Sequence, residues 1–291
     1  MRREFLKGTV MKIAFTSDLH VNSSSENHDI IPAIRKKLDD NPPDVFIIAG
    51  DISSNLTDIE TTLGMFRDLP AVKFFVPGNH DIWVEDEYTS DIKYFDNLPK
   101  ICREAGFHPL WLQPYTIGDT GFCGTMGWYD LSLRSTLVNF TDADYAKKRF
   151  FLFTWMDKVR MRFYRDSRVL DDAELTELLL ERFIADCEDV SPKTNRIISV
   201  FHHLPFRNPI VYNGKPQWDY FAAFFGSARF GEYILSNPKI SRVICGHYHR
   251  RKSLDIAPGL VLHLSPFGYY EREGDRPFSR WISKRLSYIN I

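Results

Sequence analysis

The chain is poor in features that would place it in several large classes of protein. Its 291 residues include only four cysteines, Cys102, Cys123, Cys187 and Cys245. None forms a C-x-x-C pair and none is near another in sequence, so the spacing supports neither a disulfide framework nor a thiolate metal site. Reduced, partly buried thiols are expected. No apolar run reaches the roughly 18 residues of a membrane span. The N-terminus begins Met-Arg-Arg but lacks the apolar stretch of a secretory signal. Formal net charge is −1, so the whole molecule gives no electrostatic pull toward nucleic acid or membrane. A cytoplasmic protein is expected. Internal repeats, low-complexity tracts and clear linkers are also absent.

What is present is ordinary for a globular chain: 44% hydrophobic and 26% charged residues. Five short apolar runs read as buried strands: Lys12–Thr16, Val45–Ala49, Val72–Val76, Ile197–Phe201 and Val243–Cys245. Helical patterns come after the first three, over Ile30–Leu38, Leu56–Arg67 and Ile92–Ala105. That alternation predicts βαβ crossovers and a mostly parallel sheet. Two hairpins are expected elsewhere. One joins Tyr115–Ile117 to Phe122–Thr125 across Gly118-Asp119-Thr120-Gly121. The other joins Arg251–Ile256 to Leu260–Leu264 across Pro258-Gly259. They predict a second sheet with antiparallel pairing, packed on the first. Residues 1–10 read as an extension before a domain over 11–270, and 271–291 as a C-terminal segment. Residues 130–190 read as a helical insertion or cap, with Asp171-Asp172 starting a helix.

The residues just beyond each apolar run are the informative ones. After the first run come Asp18 and His20. After the second come Gly50 and Asp51, and after the third Gly78, Asn79, His80 and Asp81. After the fourth come His202 and His203, and after the fifth Gly246, His247 and His249. Each alone is weak: Asp-x-His occurs by chance, and Gly-Asp is often only a turn. Together they place six of the nine histidines in four strand-end segments. Ligands in open α/β sheets bind beyond the carboxyl ends of the strands. His28, His108 and His263 lack that context and read as surface or packing residues.

Carboxylate, amide and imidazole without thiolate form an O/N donor set that argues against a closed structural zinc site. Mn²⁺, Fe²⁺/Fe³⁺, Zn²⁺, Co²⁺ or Ni²⁺ would suit it. With only two aspartates, two divalent cations leave the site positive, which favours an anionic substrate such as a phosphate ester. Two ions about 3.5–4 Å apart need one shared carboxylate.

The segments Ser17-Asp18-Leu19-His20, Ala49-Gly50-Asp51-Ile52, Pro77-Gly78-Asn79-His80-Asp81, Phe201-His202-His203-Leu204-Pro205 and Cys245-Gly246-His247-Tyr248-His249 resemble the calcineurin-like metallophosphoesterases. They stand in that family's order, and the resemblance spans Met11 to about Leu264. It implies a four-layer α/β/β/α sandwich of two mixed sheets flanked by helices. It also implies a dinuclear centre whose bridging hydroxide attacks phosphorus in line. One metal site would take Asp18, His20 and His249, the other Asn79, His202 and His247, and Asp51 would bridge them. His80 would contact the phosphate and assist the leaving oxygen, with Asp81 orienting it; Asp81 as a plain turn residue is the alternative. A proline three residues after the ligand histidine selects His202, whereas family versions with proline two after would select His203. We expect His202.

Weaker signals remain. Phe150–Arg168 interleaves aromatics with Lys158, Arg160, Arg162, Arg165 and Arg168. It reads as a basic, aromatic lid, as an amphipathic helix with a solvated basic face, or as a membrane-surface segment. Arg207 is a candidate phosphate contact beside Asn79 and His80. The expected function is a metal-dependent phosphoesterase with a small-molecule phosphate ester as substrate, the lean being toward phosphodiesters. A phosphomonoesterase, a nuclease using the same site, and a non-catalytic scaffold are the alternatives. The intact ligand set argues against the scaffold, and the net charge does not encourage a nuclease.

Overall fold

A computed structural model of the chain describes residues 10–23, 29–85, 89–269 and 284–291. In chain order the strands of its two large sheets are β1 (Lys12–Thr16), β2 (Val45–Ala49), β3 (Val72–Val76), β4 (His108–Pro109), β5 (Tyr115–Ile117), β6 (Thr120–Thr125), β7 (Arg196–Phe201), β8 (Ile240–Cys245), β9 (Lys252–Ala257), β10 (Leu260–Leu264) and β11 (Ser287–Asn290). The first sheet has the order β11-β1-β2-β3-β4, with β1 to β4 parallel and β11 antiparallel at the edge. The second has the order β9-β10-β8-β7-β6-β5. Its four central strands are parallel and its two edge strands antiparallel.

The second sheet is mixed, as the family resemblance implied, and both expected hairpins pair antiparallel within it. The hairpins form only its two edges, and β7 and β8 supply a parallel centre. An apolar run reports burial on both faces, not which of two sheets the strand joins.

Side chains alternate across each strand with a period of two, and here both faces are buried. Ile13, Phe15, Val45, Ile47, Phe74 and Val76 pack between the sheets against Phe122, Ile198, Val200 and Ile244. The intervening Ala14, Phe46, Ile48 and Phe75 turn outward in a second apolar cluster. That cluster includes Ile34 and Leu38 of the helix Ile30–Asp40, and Ile59 and Leu63 of the helix Leu56–Gly64. On the other side Phe201 meets Phe183 of the helix Asp172–Val190 and Phe230 of the helix Ala228–Ser236. The result is four layers, α/β/β/α. All four cysteines are buried and free. No helix among the described residues is long and apolar enough to cross a membrane.

Residues 130–190 are helical only in part. Asp171 and Glu174 form a reciprocal capping box that starts Asp172–Val190. Upstream, Asp142–Ala146 and Asp157–Arg160 are short helices, while Arg149–Phe150 pairs with Phe153–Thr154 and Tyr164–Arg165 with Arg168–Val169. The amphipathic-helix reading of Phe150–Arg168 is thus corrected to two small hairpins around one helical turn. Their turns place Phe151, Asp166 and Ser167 at positive φ, 50°, 51° and 64°, which no continuous helix allows. The C-terminal segment, for which the sequence offered no structural reading, joins the first sheet at its end. Its last residues form β11, which pairs with β1 from Lys12↔Asn290 to Phe15↔Ser287. Residues 1–9 of the expected 1–10 extension, His28 and all of 270–283 lie outside the described residues.

Candidate metal centre

Because β1, β2 and β3 are parallel, as are β7 and β8, their carboxyl ends open on one edge of the sandwich. Contacts across that edge hold the two sheets together. His247 N–H, after β8, donates to the Asp18 carboxylate, after β1, at 2.9 Å. His202 Nδ1, after β7, donates to the Ala49 carbonyl at the end of β2, 2.9 Å away. Within the second sheet, Gly246 N–H donates to the His202 carbonyl at 3.1 Å and ties the ends of β8 and β7 together.

The backbone is bent sharply where β1, β2 and β8 end. Asp18, His20, Asp51, His247 and His249 all have positive φ, between 43° and 66°. Such conformations cost about 1–3 kcal/mol each and cluster at functional sites. The glycines beside them are there for room. A Cβ on Gly50 would lie 2.6 Å from the Gly78 nitrogen, and one on Gly78 would lie 2.7 Å from His202 Cε1. One on Gly246 would lie 2.8 Å from both the Ala49 carbonyl oxygen and the Asp18 carboxylate.

Two donor groups result, with Asp51 between them. In the first, His249 Nε2 lies 3.1 Å from Asp18 Oδ1 and 3.0 Å from His20 Nε2. In the second, His202 Nε2 lies 3.2 Å from His247 Nδ1. Asp51 Oδ2 is 3.8 Å from His20 Nε2 and 3.3 Å from His202 Nε2. Ligand atoms of Asp18/His20/His249 lie within 4.8 Å of one another, and so do those of Asp51/His202/His247. Asn79, after β3, adds a buried Oδ1 that has no hydrogen-bond partner. A buried carbonyl oxygen left bare beside converging imidazoles and carboxylates fits a cation at that point. The residues present thus fit two metal ions.

Electrostatics follow the same map. Burial pushes the Asp18 carboxyl up, but His249 and His202 beside it outweigh this and bring it down to about 2. Asp51 is likewise held well below the carboxylate range, because His202 and His80 outweigh its burial. Burial lowers His202, yet its contact with Asp51 raises it to about 9. His247 falls to about 3 through burial and the neighbouring His202.

The remaining candidates separate. His80 Nε2 lies 3.9 Å from Asp51 Oδ2, and its ring stacks on Trp83 with centroids 3.6 Å apart. Asp81 does not orient His80, as expected, but braces the backbone. Its carboxylate accepts the N–H groups of Asp51 (2.8 Å), Ile52 (2.8 Å), Ser53 (3.1 Å) and Gly78 (2.8 Å). His203 turns from Asp51, with Nδ1 on the Met126 carbonyl at 3.2 Å. Of the pair, His202 falls in a donor group with Asp51 and His247, while the His203 ring packs on His247 with centroids 4.2 Å apart. Arg207 is not brought to the centre. Its guanidinium donates to the carbonyls of Ser132 (2.8 Å) and Arg134 (2.9 Å), clamping one loop to another. His108 and His263 are tied to Gln113 and Ser253 at 2.7 and 2.8 Å.

One residue escaped the sequence reading. Asp157 is buried and accepts hydrogen bonds from Asn79 Nδ2, Trp83 Nε1, Tyr129 OH and Trp155 Nε1. No spacing marks it; Trp83, four residues after Asn79, was the nearest signal.

A cavity of about 1450 Å³ opens over the centre, lined at its floor by Asp51, Asn79, His80, His247 and His249. Phe150, Phe153, Trp155, Trp218 and Phe221 make an aromatic wall, and Lys215, Arg250, Arg251 and Lys252 a cationic rim. Arg250 lies 5.5 Å from the centre of the Trp218 ring. Asp51 is the only acid among the described residues that line it.

Comparison with known proteins agrees with this geometry. An acyl-carrier-protein phosphodiesterase of Mycobacterium tuberculosis, PptH, is 27% identical over 106 residues. The aligned stretch is 33% of this chain and 32% of that protein, about a third of the curated relative's length. The crystal structure of the phosphopantetheinyl hydrolase PptH from Mycobacterium tuberculosis superposes with TM-score 0.73 at 20% identity, covering 96% of this chain and 95% of that one. A dimetal phosphatase from Danio rerio superposes with TM-score 0.52 at 11% identity, covering 87% and 86%. The calcineurin-like phosphoesterase family model matches residues 11–251. That match runs from the first strand through the Gly-His-x-His segment, and the chain belongs to the calcineurin-like phosphoesterases.

Proposed function

We propose that this phosphoesterase acts on phosphodiesters, at a centre where Asp18, His20 and His249 hold one metal ion and Asn79, His202 and His247 the other. Asp51 is shared between them. The observation that carries this reading is the place of Asp51 Oδ2, within 3.8 Å of a nitrogen from each donor group. The donor set suits Mn, Fe, Zn, Co or Ni. Bound there, two cations would supply Lewis acidity for the phosphoryl oxygens and activate a water.

The chain's own groups do the rest. Asp81 ties the Asp51 loop to its own through the N–H groups of Asp51, Ile52 and Ser53 on one side and Gly78 on the other, which fixes the backbone that carries the shared carboxylate. His80, stacked on Trp83 at the cavity floor, contacts the phosphate and offers a proton or hydrogen bond to the leaving oxygen. The aromatic wall excludes water from one side of the scissile group. The cationic rim takes an anionic or polar remainder of the substrate. A cavity of this size and character supports a long substrate arm over a compact one. With PptH among its relatives, the phosphodiester that joins a phosphopantetheinyl arm to an acyl carrier protein is the substrate we infer.

The test is a direct assay. Metal-loaded protein is incubated with phosphopantetheinylated acyl carrier protein, a generic diester, a generic monoester and a cyclic nucleotide. Mass spectrometry should find the carrier protein shortened by its arm, with the generic diester cleaved faster than the monoester. No turnover of any of the four with both sites filled would sink the proposal. Faster cleavage of the monoester would redirect it.

A further inference from the structure

The structure assigns Asp157 as a positioning residue that aims the Asn79 carbonyl at the metal centre, so that residues 130–170 complete the site rather than merely cover it. This rests on the reading of Asn79 as a metal ligand.

Asp157 opens the helical turn Asp157–Arg160 between the two small hairpins and is 1% exposed. Its Oδ1 accepts Asn79 Nδ2 at 2.9 Å and Trp83 Nε1 at 2.6 Å. Its Oδ2 accepts Trp155 Nε1 at 2.7 Å and Tyr129 OH at 3.1 Å. An ionised carboxylate is an acceptor only. Asn79 must therefore turn its NH₂ toward Asp157, and its Oδ1 is forced to the opposite side. That Oδ1 is the buried oxygen with no protein partner. Without an acceptor at this position, the amide loses the contact that distinguishes its two ends. Turned over, it would present NH₂ to a cation and cease to be a ligand.

The same carboxylate reaches two further groups of the centre. Trp83, held by Oδ1, stacks on His80 at 3.6 Å between centroids. Trp155, held by Oδ2, sets its ring edge-on to His247 at 5.8 Å. Behind them, Lys148 Nζ donates to Tyr129 OH at 3.0 Å, which leaves the phenol proton for Asp157. Partners behind a metal ligand, when removed, typically cost about 10–100-fold in metal affinity.

The test counts ions. Wild type, Asn79→Ala, Asp157→Asn and the double substitution Asn79→Asp with Asp157→Asn are compared by elemental analysis and Mn²⁺ titration calorimetry. Far-UV circular dichroism of the metal-free proteins monitors the fold. Asn79→Ala should bind one ion tightly rather than two; if it keeps two at wild-type affinity, the ligand reading itself fails. Asp157→Asn leaves one acceptor oxygen, with an NH₂ in place of the other, for the four donors that Asp157 serves, and should weaken one of the two ions by about 10–100-fold and leave the other unchanged. Wild-type affinity for both ions in Asp157→Asn, with Asn79→Ala deficient, would overturn the role of Asp157 alone. The double substitution exchanges carboxylate and amide, so a carboxylate oxygen replaces the amide oxygen at the centre and an amide stands behind it. It should recover two ions, which a purely structural defect at Asp157 would not. A double variant that stays at one ion, or does not fold, overturns the proposal.

Discussion

The carboxyl edge of the two sheets and the stretch over 130–170 serve one centre but are built in opposite ways. At the edge, backbone does most of the holding. Five of the functional residues sit at positive φ, glycines clear the space, and Asp81 binds four N–H groups of the neighbouring loops. In the stretch over 130–170, side chains do the holding: a single carboxylate gathers two indoles, a phenol and an amide. Backbone-built sites need particular residues at particular spacings. Side-chain-built ones need only that the partners meet, and so leave little trace in sequence.

The largest effect expected from breaking the edge is Asp51→Asn. Metal content and turnover should fall together, the latter by more than the roughly 10²–10³-fold typical of losing one oxyanion donor. Elemental analysis beside a diester assay checks this, and two retained ions in Asp51→Asn would mean that the carboxylate is not shared. Next is His80→Ala, which should keep both ions while turnover drops about 10²–10⁴-fold. An emptied site in that variant would make His80 a ligand instead.

Gly78→Ala probes the packing of the edge. The added Cβ would meet His202 Cε1 at 2.7 Å, and forcing atoms into such a space typically costs about 1–3 kcal/mol. Urea denaturation of the metal-free protein should show the loss; an unchanged midpoint would mean that the loops yield freely. The smallest effect belongs to the outer tip of the stretch. Phe151 and Leu152 are 78% and 86% exposed and do not line the cavity. Replacing both with serine should shift stability by no more than about 0.5 kcal/mol per site and leave turnover of a generic diester unchanged. A clear loss of turnover there would show that the tip reaches the substrate.

The same contrast explains what could be read in advance. The five apolar runs, the strand-end Asp, Asn and His residues and the cap at Asp171 were legible, because burial on both faces, tight turns and helix starts each restrict composition locally. The choice of His202 over His203 was legible only as a preference; it was decided by which face of the segment meets Asp51. Arg207 was misplaced because a basic residue near a phosphate site looks the same in sequence whether it faces the ligand or a neighbouring carbonyl. Asp81 was placed at the site but with the wrong partner. Its contacts are backbone groups of a loop some 28 to 30 positions away, and no side-chain pattern encodes them. Asp157 was missed for the stronger reason that its partners lie up to 78 positions distant.

From sequence alone came the donor chemistry at the strand ends, because a metal ligand must be a particular residue type and the positive-φ turns there favour glycine, Asp, Asn or His. Only the tertiary structure decided which strands share a sheet, that β11 closes the first sheet from the far end of the chain, and that Asp157 stands behind Asn79. Those outcomes depend on long-range pairing and on which faces meet, and many different local sequences satisfy them equally well.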